Sequence, residues 1–259
     1  PTGFAKVALL EKKNAGFELT PSEKLDYDKF LDRIYKICQA GHDANVPIFI
    51  DAEHSWTQDV VDEVAREMMK SFNKERVIIY NTLQMYRTDR LAYMKDSIAH
   101  AKENNYKSGF KIVRGAYMEI ERERAMKNNY RSPIQPDKNA ADHDYNTALN
   151  IALENIENVA VCCATHNEQS TLFLVEWMNE RKMPVNHPHI WFSQLYGMSD
   201  HISFNLASKG YNVCKYVPYG PVTSVLPYLI RRAQENTSVK GQTGRELSLI
   251  LLEKRRRKK

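Results

Sequence analysis

At 259 residues, 42% of them apolar and 27% charged, the chain has the make-up of a folded protein long enough for one α/β barrel of about 250 residues. No uninterrupted apolar run approaches the ~18–20 residues that span a bilayer. The net charge of +5 resides in the terminal "EKRRRKK", so the remainder is near neutral and a nucleic-acid partner is not indicated.

The first strand candidate is "GFAKVALL" (3–10), with Lys6 inside it, followed by a helical pattern over 21–40. Then "VPIFIDAE" (46–53) precedes a helix at 57–73, and "RVIIYNTLQ" (76–84) precedes one at 88–104. The next strand, "GFKIVRGAY" (109–117), leads into "NNYRSPIQPDKNAAD" (128–142), the longest break, read as a loop above this strand. Helix 142–156, strand "VAVCCATHN" (159–167), helix 168–180, strand "HIWFSQL" (189–195), helix 199–208 and strand "YNVCKYVPYG" (211–220) complete the alternation. Continuous apolar strands separated by helices indicate a parallel sheet covered by helices.

Beyond Lys6, polar residues stand just past each apolar run: Asp51 and Glu53, Gln84, Arg114 with Tyr117, Thr165 to Asn167, Gln194 and Tyr216. Gathered functional groups at strand C-termini predict a (β/α)8 TIM-type barrel, whose βα loops build the site. Neither GxGxxG nor GxxxxGK[ST] occurs, so no dinucleotide or P-loop motif competes. Seven strand candidates leave the barrel one short. The four cysteines, Cys38, Cys162, Cys163 and Cys214, form no CxxC pair and suit buried thiols in a reducing compartment. "DAEH" (51–54) offers metal-ligand types, but Asp51 and His54 point to opposite strand faces, and no further His/carboxylate pair completes a set. The last stretch, "YLIRRAQENTSV" (228–239), puts Tyr228, Arg231, Arg232 and Glu235 on one helical face, beside an apolar stripe of Val222, Val225, Leu226, Leu229, Ile230 and Ala233 expected to lie on the barrel.

At "KIVRGAYMEIERERA" and "YVPYGPVTSVLPYLIRRAQENTSV" the chain resembles proline dehydrogenase. "FIDAEHSWTQ", "NTLQMYRTDRLAYM", "CATHNEQS" and "FSQLYGMSDHISFNLA" extend the likeness over nearly the whole length, closest to the monofunctional bacterial and mitochondrial branch. The resemblance implies a single FAD-bearing barrel over residues 1–259, with 248–259 as a basic tail. It also makes "GFAKVALL" the second barrel strand. A chain that opens at Pro1 would then be a fragment lacking the family's N-terminal helical region and first strand.

The implied reaction oxidises L-proline to Δ1-pyrroline-5-carboxylate by hydride transfer to FAD, with electrons passed to a quinone. Arg231, Arg232 and Lys6 would contact the substrate carboxylate, since guanidinium forks match it with paired hydrogen bonds. Glu235 would hold Arg231 at i,i+4. Tyr216, Tyr228 and Leu195 would wall the proline ring, and Asp51 would link polar groups on the substrate side. The flavin would lie against Gln84, Lys111, Val113, Arg114, Gly115, Ala116, Tyr117, Thr165, His166, Asn167 and Gln194. Hydroxyproline oxidation and a flavin-free binding barrel are the alternatives. The resemblance further implies peripheral membrane association, at the cytoplasmic side of a bacterial inner membrane or at the mitochondrial matrix and inner membrane.

Overall fold

The computed structural model describes residues 1–223, 225–226, 228–230, 248, 251–252 and 254–257. Six strands form one sheet in chain order: β1 (Ile48–Ile50), β2 (Ile79–Gln84), β3 (Ser108–Val113), β4 (Val159–Ala164), β5 (Ile190–Leu195) and β6 (Val213–Tyr216). Every neighbouring pair is parallel, with registers such as Asn81↔Phe110, Lys111↔Cys162 and Ser193↔Cys214. Helices cross between successive strands: α3 (Ser55–Phe72), α4 (Arg90–Glu103), α5 (Met118–Lys127) with α6 (Lys138–Glu154), α7 (Glu168–Glu180) and α8 (Asp200–Ser208).

Side chains alternate across this sheet as the period of two demands. Phe110, Ile112, Val161, Cys163 and Phe192 face out into the main core, against Leu149 of α6 and Leu174 and Met178 of α7. Phe49, Tyr80 and Ala160 face in and pack together, Phe49 meeting Tyr80 edge-on at 5.3 Å. Gly109 keeps this floor closed: a Cβ there would lie 2.4 Å from the Ile79 carbonyl and 2.6 Å from Val77 Cγ1. A second core joins α3 (Val60, Val61, Ala65, Met69) to Phe30 and Ile34 of α2 (Pro21–Asp43) and to Ile79. Helix α2 starts from a capping box, Thr20 and Glu23 bonding each other's backbone at 2.8 and 3.3 Å with Pro21 at the first turn.

Two expectations are corrected. "GFAKVALL" is no strand: Val7–Asn14 is helix α1, with Lys6 as its N-cap. A short apolar run cannot be told from a buried helix by periodicity. Here "VALL" continues into the helix formers "EKK", Leu9 and Leu10 bury, and Gly16 at φ 77° closes the last turn with Lys12 and Lys13 at its end. The seven candidates therefore become six strands among the described residues. Met118–Lys127, not foreseen as helical, is α5. The break after it narrows to 128–137, with an antiparallel bridge between Ile134 and Arg87, because Asp137 caps α6 through the Ala140 N–H at 2.8 Å.

Candidate active site

The strand C-termini enclose a cavity of about 840 Å³. Phe49 (β1), Thr82 (β2), Lys111 (β3), Ala164 (β4), Ser193 (β5) and Cys214 (β6) all reach it, so the sheet curls as part of a barrel. Every predicted site residue among the described ones lines this cavity except Lys6. Lys6 is exposed at the head of α1, where the helix that replaces the expected strand carries it away from the strand ends. Arg231, Arg232, Ala233 and Glu235 lie outside the described residues.

At the centre Lys111 forms an ion pair with Asp51, two strands away, and its ammonium sits 5.2 Å over the Phe49 ring. Thr82 donates to the same Asp51 oxygen at 3.3 Å. The lysine is 13% exposed and the aspartate 47%, so a sheltered cation meets a carboxylate that opens on the cavity. Gln84, almost fully buried, donates to the Glu53 carbonyl at 2.7 Å and fixes the strand-to-helix turn that carries Asp51.

Arg114 is held on three sides. Its Nε donates to Asp142 at 2.5 Å, one Nη to Thr165 at 2.7 Å and the other to Ser170 at 3.0 Å, while the guanidinium stacks 4.3 Å from the Tyr145 ring. Burial would raise the Asp142 carboxyl, but hydrogen bonds from Lys138 and Arg114 outweigh it and hold it below the ordinary value. Thr165 in turn accepts from the Asn167 N–H at 3.0 Å, and Gln194 donates to the Thr165 carbonyl at 3.2 Å. Ser203 donates to Gln194 at 2.8 Å, and His166 meets the Ser199 hydroxyl at 2.9 Å. The "THN" turn is thus tied to its neighbours on both flanks.

Between Val113 and Tyr117 the chain makes the turn that only glycine serves well. Gly115 has φ 129°, and a Cβ there would lie 2.3 Å from the Tyr86 ring. On the far wall Tyr216 and Tyr228 stand with ring centroids 5.3 Å apart. The apolar stripe expected on the barrel is exposed at Val222, Leu226, Leu229 and Ile230. With about 100° per residue, a helix that turns Tyr228 inward leaves Val225 about 60° off that direction and the others about 100–160° off. Val225 is accordingly the half-buried member.

Sequence reasoning missed Lys138, Ser193, Cys214 and Lys215 as lining residues, while Glu53, read at its strand end, lines the cavity as well. Cys214 is the most consequential. The Cys162 thiol hydrogen-bonds it and pulls its pKa down to about 6, against burial and with help from Ser193 and the charge of Lys111. The signal was available: Cys214 stands two before Tyr216 on one strand, and Ser193 two before Leu195, so each shares its neighbour's face. The metal-ligand types of "DAEH" diverge. Asp51 meets Lys111, Glu53 accepts from the Thr2 N–H at 3.3 Å, and His54 stacks on Trp56 at 4.3 Å. Among the described residues no group of three His, Cys, Asp or Glu could hold a metal ion.

The family model described as proline dehydrogenase matches residues 4–245. Mitochondrial proline dehydrogenase 1 of Drosophila melanogaster is 36% identical over 93% of this chain and 37% of its own length. The Homo sapiens protein of the same name is 38% identical over 92% of this chain and 40% of its own. The chain thus spans about two fifths of these relatives. Among solved structures, proline utilization A from Bdellovibrio bacteriovorus, inactivated by N-propargylglycine, superposes with a TM-score of 0.76 at 24% identity, covering 84% of this chain and 22% of that one.

Proposed function

The chain belongs to the proline dehydrogenase family, and on that premise we propose that it oxidises L-proline to Δ1-pyrroline-5-carboxylate with FAD as the hydride acceptor. The observation that carries this reading is the cavity at the strand C-termini with the Lys111–Asp51 pair at its centre. The residues present suit a flavin. The volume falls within the ~300–1,000 Å³ of cofactor sites, the Gly115 turn offers a side-chain-free approach, and Lys111 supplies a cation at the floor.

When bound, FAD supplies the redox chemistry, and this chain's residues bind, orient and exclude water. Lys111, Val113 to Tyr117, Gln84, Thr165 to Asn167 and Gln194 hold the cofactor. Arg114, locked by Asp142 and Ser170, keeps Thr165 in place. Tyr216, Tyr228 and Leu195 wall the pyrrolidine ring, and Asp51 sets the polar end of the cavity. Arg231 and Arg232 clamp the substrate carboxylate, with Glu235 orienting the fork. Electrons leave to a quinone. The animal relatives, both mitochondrial proline dehydrogenases, support a mitochondrial setting; among the described residues no helix is long and apolar enough to cross a membrane.

The test is spectroscopic. The purified chain, supplied with FAD, should show the absorption of a bound flavin that bleaches when L-proline is added without oxygen. A chain that binds no FAD, or whose flavin is untouched by saturating proline, refutes the proposal.

A further inference from the structure

Helix α3 follows the segment that carries Asp51 and begins without a side-chain N-cap bond of its own. Its N-cap is His54, and its first turn holds no acidic residue. A helix start leaves unsatisfied N–H groups and a partial positive charge that favours an anion. The anion arrives from 66 residues away. Glu121 of α5 is fully buried, and its two carboxylate oxygens accept from the Ser55 N–H and the Ser55 hydroxyl, both at 2.6 Å.

Glu121 is itself fixed to the cavity wall, because its N–H donates to the Tyr117 carbonyl at 2.9 Å and Tyr117 lines the cavity. The Tyr117 ring lies 4.4 Å from His54, which stacks on Trp56, and Arg124 covers Trp56 at 4.2 Å. The bonds that hold residues 51–55 include Lys111 and Thr82 on Asp51, Gln84 on the Glu53 carbonyl, the chain's first two residues on the Glu53 carboxylate, and Glu121 on Ser55. The Glu121 contact is charge-assisted and double, and it falls on the first residue of α3.

We propose that Glu121 is a positioning residue that caps α3 from α5 and so sets where Asp51 meets Lys111. This goes beyond the proline-oxidation reading in naming a residue no motif singled out, and its effect on turnover rests on that reading. Hydrogen exchange and kinetics on the FAD-loaded chain test it separately. In Glu121→Ala, amides of 52–58 should exchange about tenfold faster or more, as loss of a charge-assisted bond implies, while β2 to β4 stay protected. kcat/KM for L-proline should fall about tenfold with FAD content unchanged, since misplacing a positioned group costs that order. Glu121→Gln, which keeps an acceptor for the Ser55 N–H, should recover most of both. Ser55→Ala, which removes only the hydroxyl bond, should speed exchange about threefold and covers the case of an unfolded Glu121→Ala.

Wild-type exchange at 52–58 in Glu121→Ala or Ser55→Ala overturns the proposal. So does a Glu121→Gln chain as impaired as Glu121→Ala, or acceleration spread evenly over the sheet. Faster exchange confined to 52–58 in a chain whose wild type does not oxidise proline upholds the positioning role and refutes the proline reading instead.

Discussion

Gly115→Ala should be among the most damaging single-methyl additions in the molecule. A new Cβ would fall 2.3, 2.4 and 2.6 Å from three atoms of the Tyr86 ring. That ring has no room to swing away, being buried against Ile134 and Ala141, with the Tyr86 N–H bonded to the Arg114 carbonyl at 2.7 Å. Overpacking of this kind costs about 1–3 kcal/mol. A φ of 129° imposes about 1–3 kcal/mol more on any L side chain. Together the loss is about 2–6 kcal/mol, a large share of the ~5–15 kcal/mol that holds a typical domain together. Urea unfolding of the chain without added FAD measures it. The two causes separate in a double-mutant cycle with Tyr86→Ala: removing the ring deletes the clash and leaves the φ strain, so the double mutant should cost about 1–3 kcal/mol less than the sum of the singles. A loss below about 1 kcal/mol, or strict additivity in the cycle, would refute the account of this turn.

Lys111→Met leaves Asp51 without its ion pair and should lower kcat/KM for L-proline about 100-fold, as loss of one preorganised charge does; a steady-state kcat/KM within twofold of wild type would contradict it. Iodoacetamide should label Cys214 ahead of the other three cysteines, at a rate that climbs through pH about 6 and then levels, because the thiolate is the nucleophile. Cys162→Ala should move that midpoint upward, and labelling that begins only near the ordinary thiol value of about 8.5 in the unaltered chain would rule the perturbation out. Burial would raise the Asp89 carboxyl, but hydrogen bonds from Arg90 and Arg87 outweigh it and hold its pKa at about 2. A depressed folded pKa adds stability above the unfolded value near 3.8, lost as pH falls towards 2. Urea midpoints between pH 4.5 and 2.5 should therefore fall more steeply in the unaltered chain than in Asp89→Asn, and equal slopes would remove Asp89 from the acid response.

Six strands were legible because each is a continuous apolar run, the pattern of a parallel sheet buried on both faces, bounded by the polar residues that now line the cavity. The same signal misled at residues 3–10, where a short apolar run belongs equally to a helix and the deciding feature, Gly16, lies beyond it. Helix α5 escaped notice for a different reason. "MEIERERAMK" buries only Glu121 and Ala125, so it carries no apolar stripe to read. What fixes it is a carboxylate reaching Ser55 across the barrel mouth, a contact that exists only once the sheet has curled. The site divides along the same line. Thr165 and Tyr216 could be named because each stands at a strand end, whereas Lys111, inside β3, and Gly115 were named from the family resemblance alone. That Lys111 faces Asp51, that Cys214 hydrogen-bonds Cys162, and that Arg114 is bound to Asp142 and Ser170 are consequences of register and curvature. Period-two alternation would have placed Ser193 and Cys214 in the cavity beside Leu195 and Tyr216, since same-face neighbours on a strand share one environment. Motif residues mark where the chemistry gathers, and the strand period then supplies the residues that tune it.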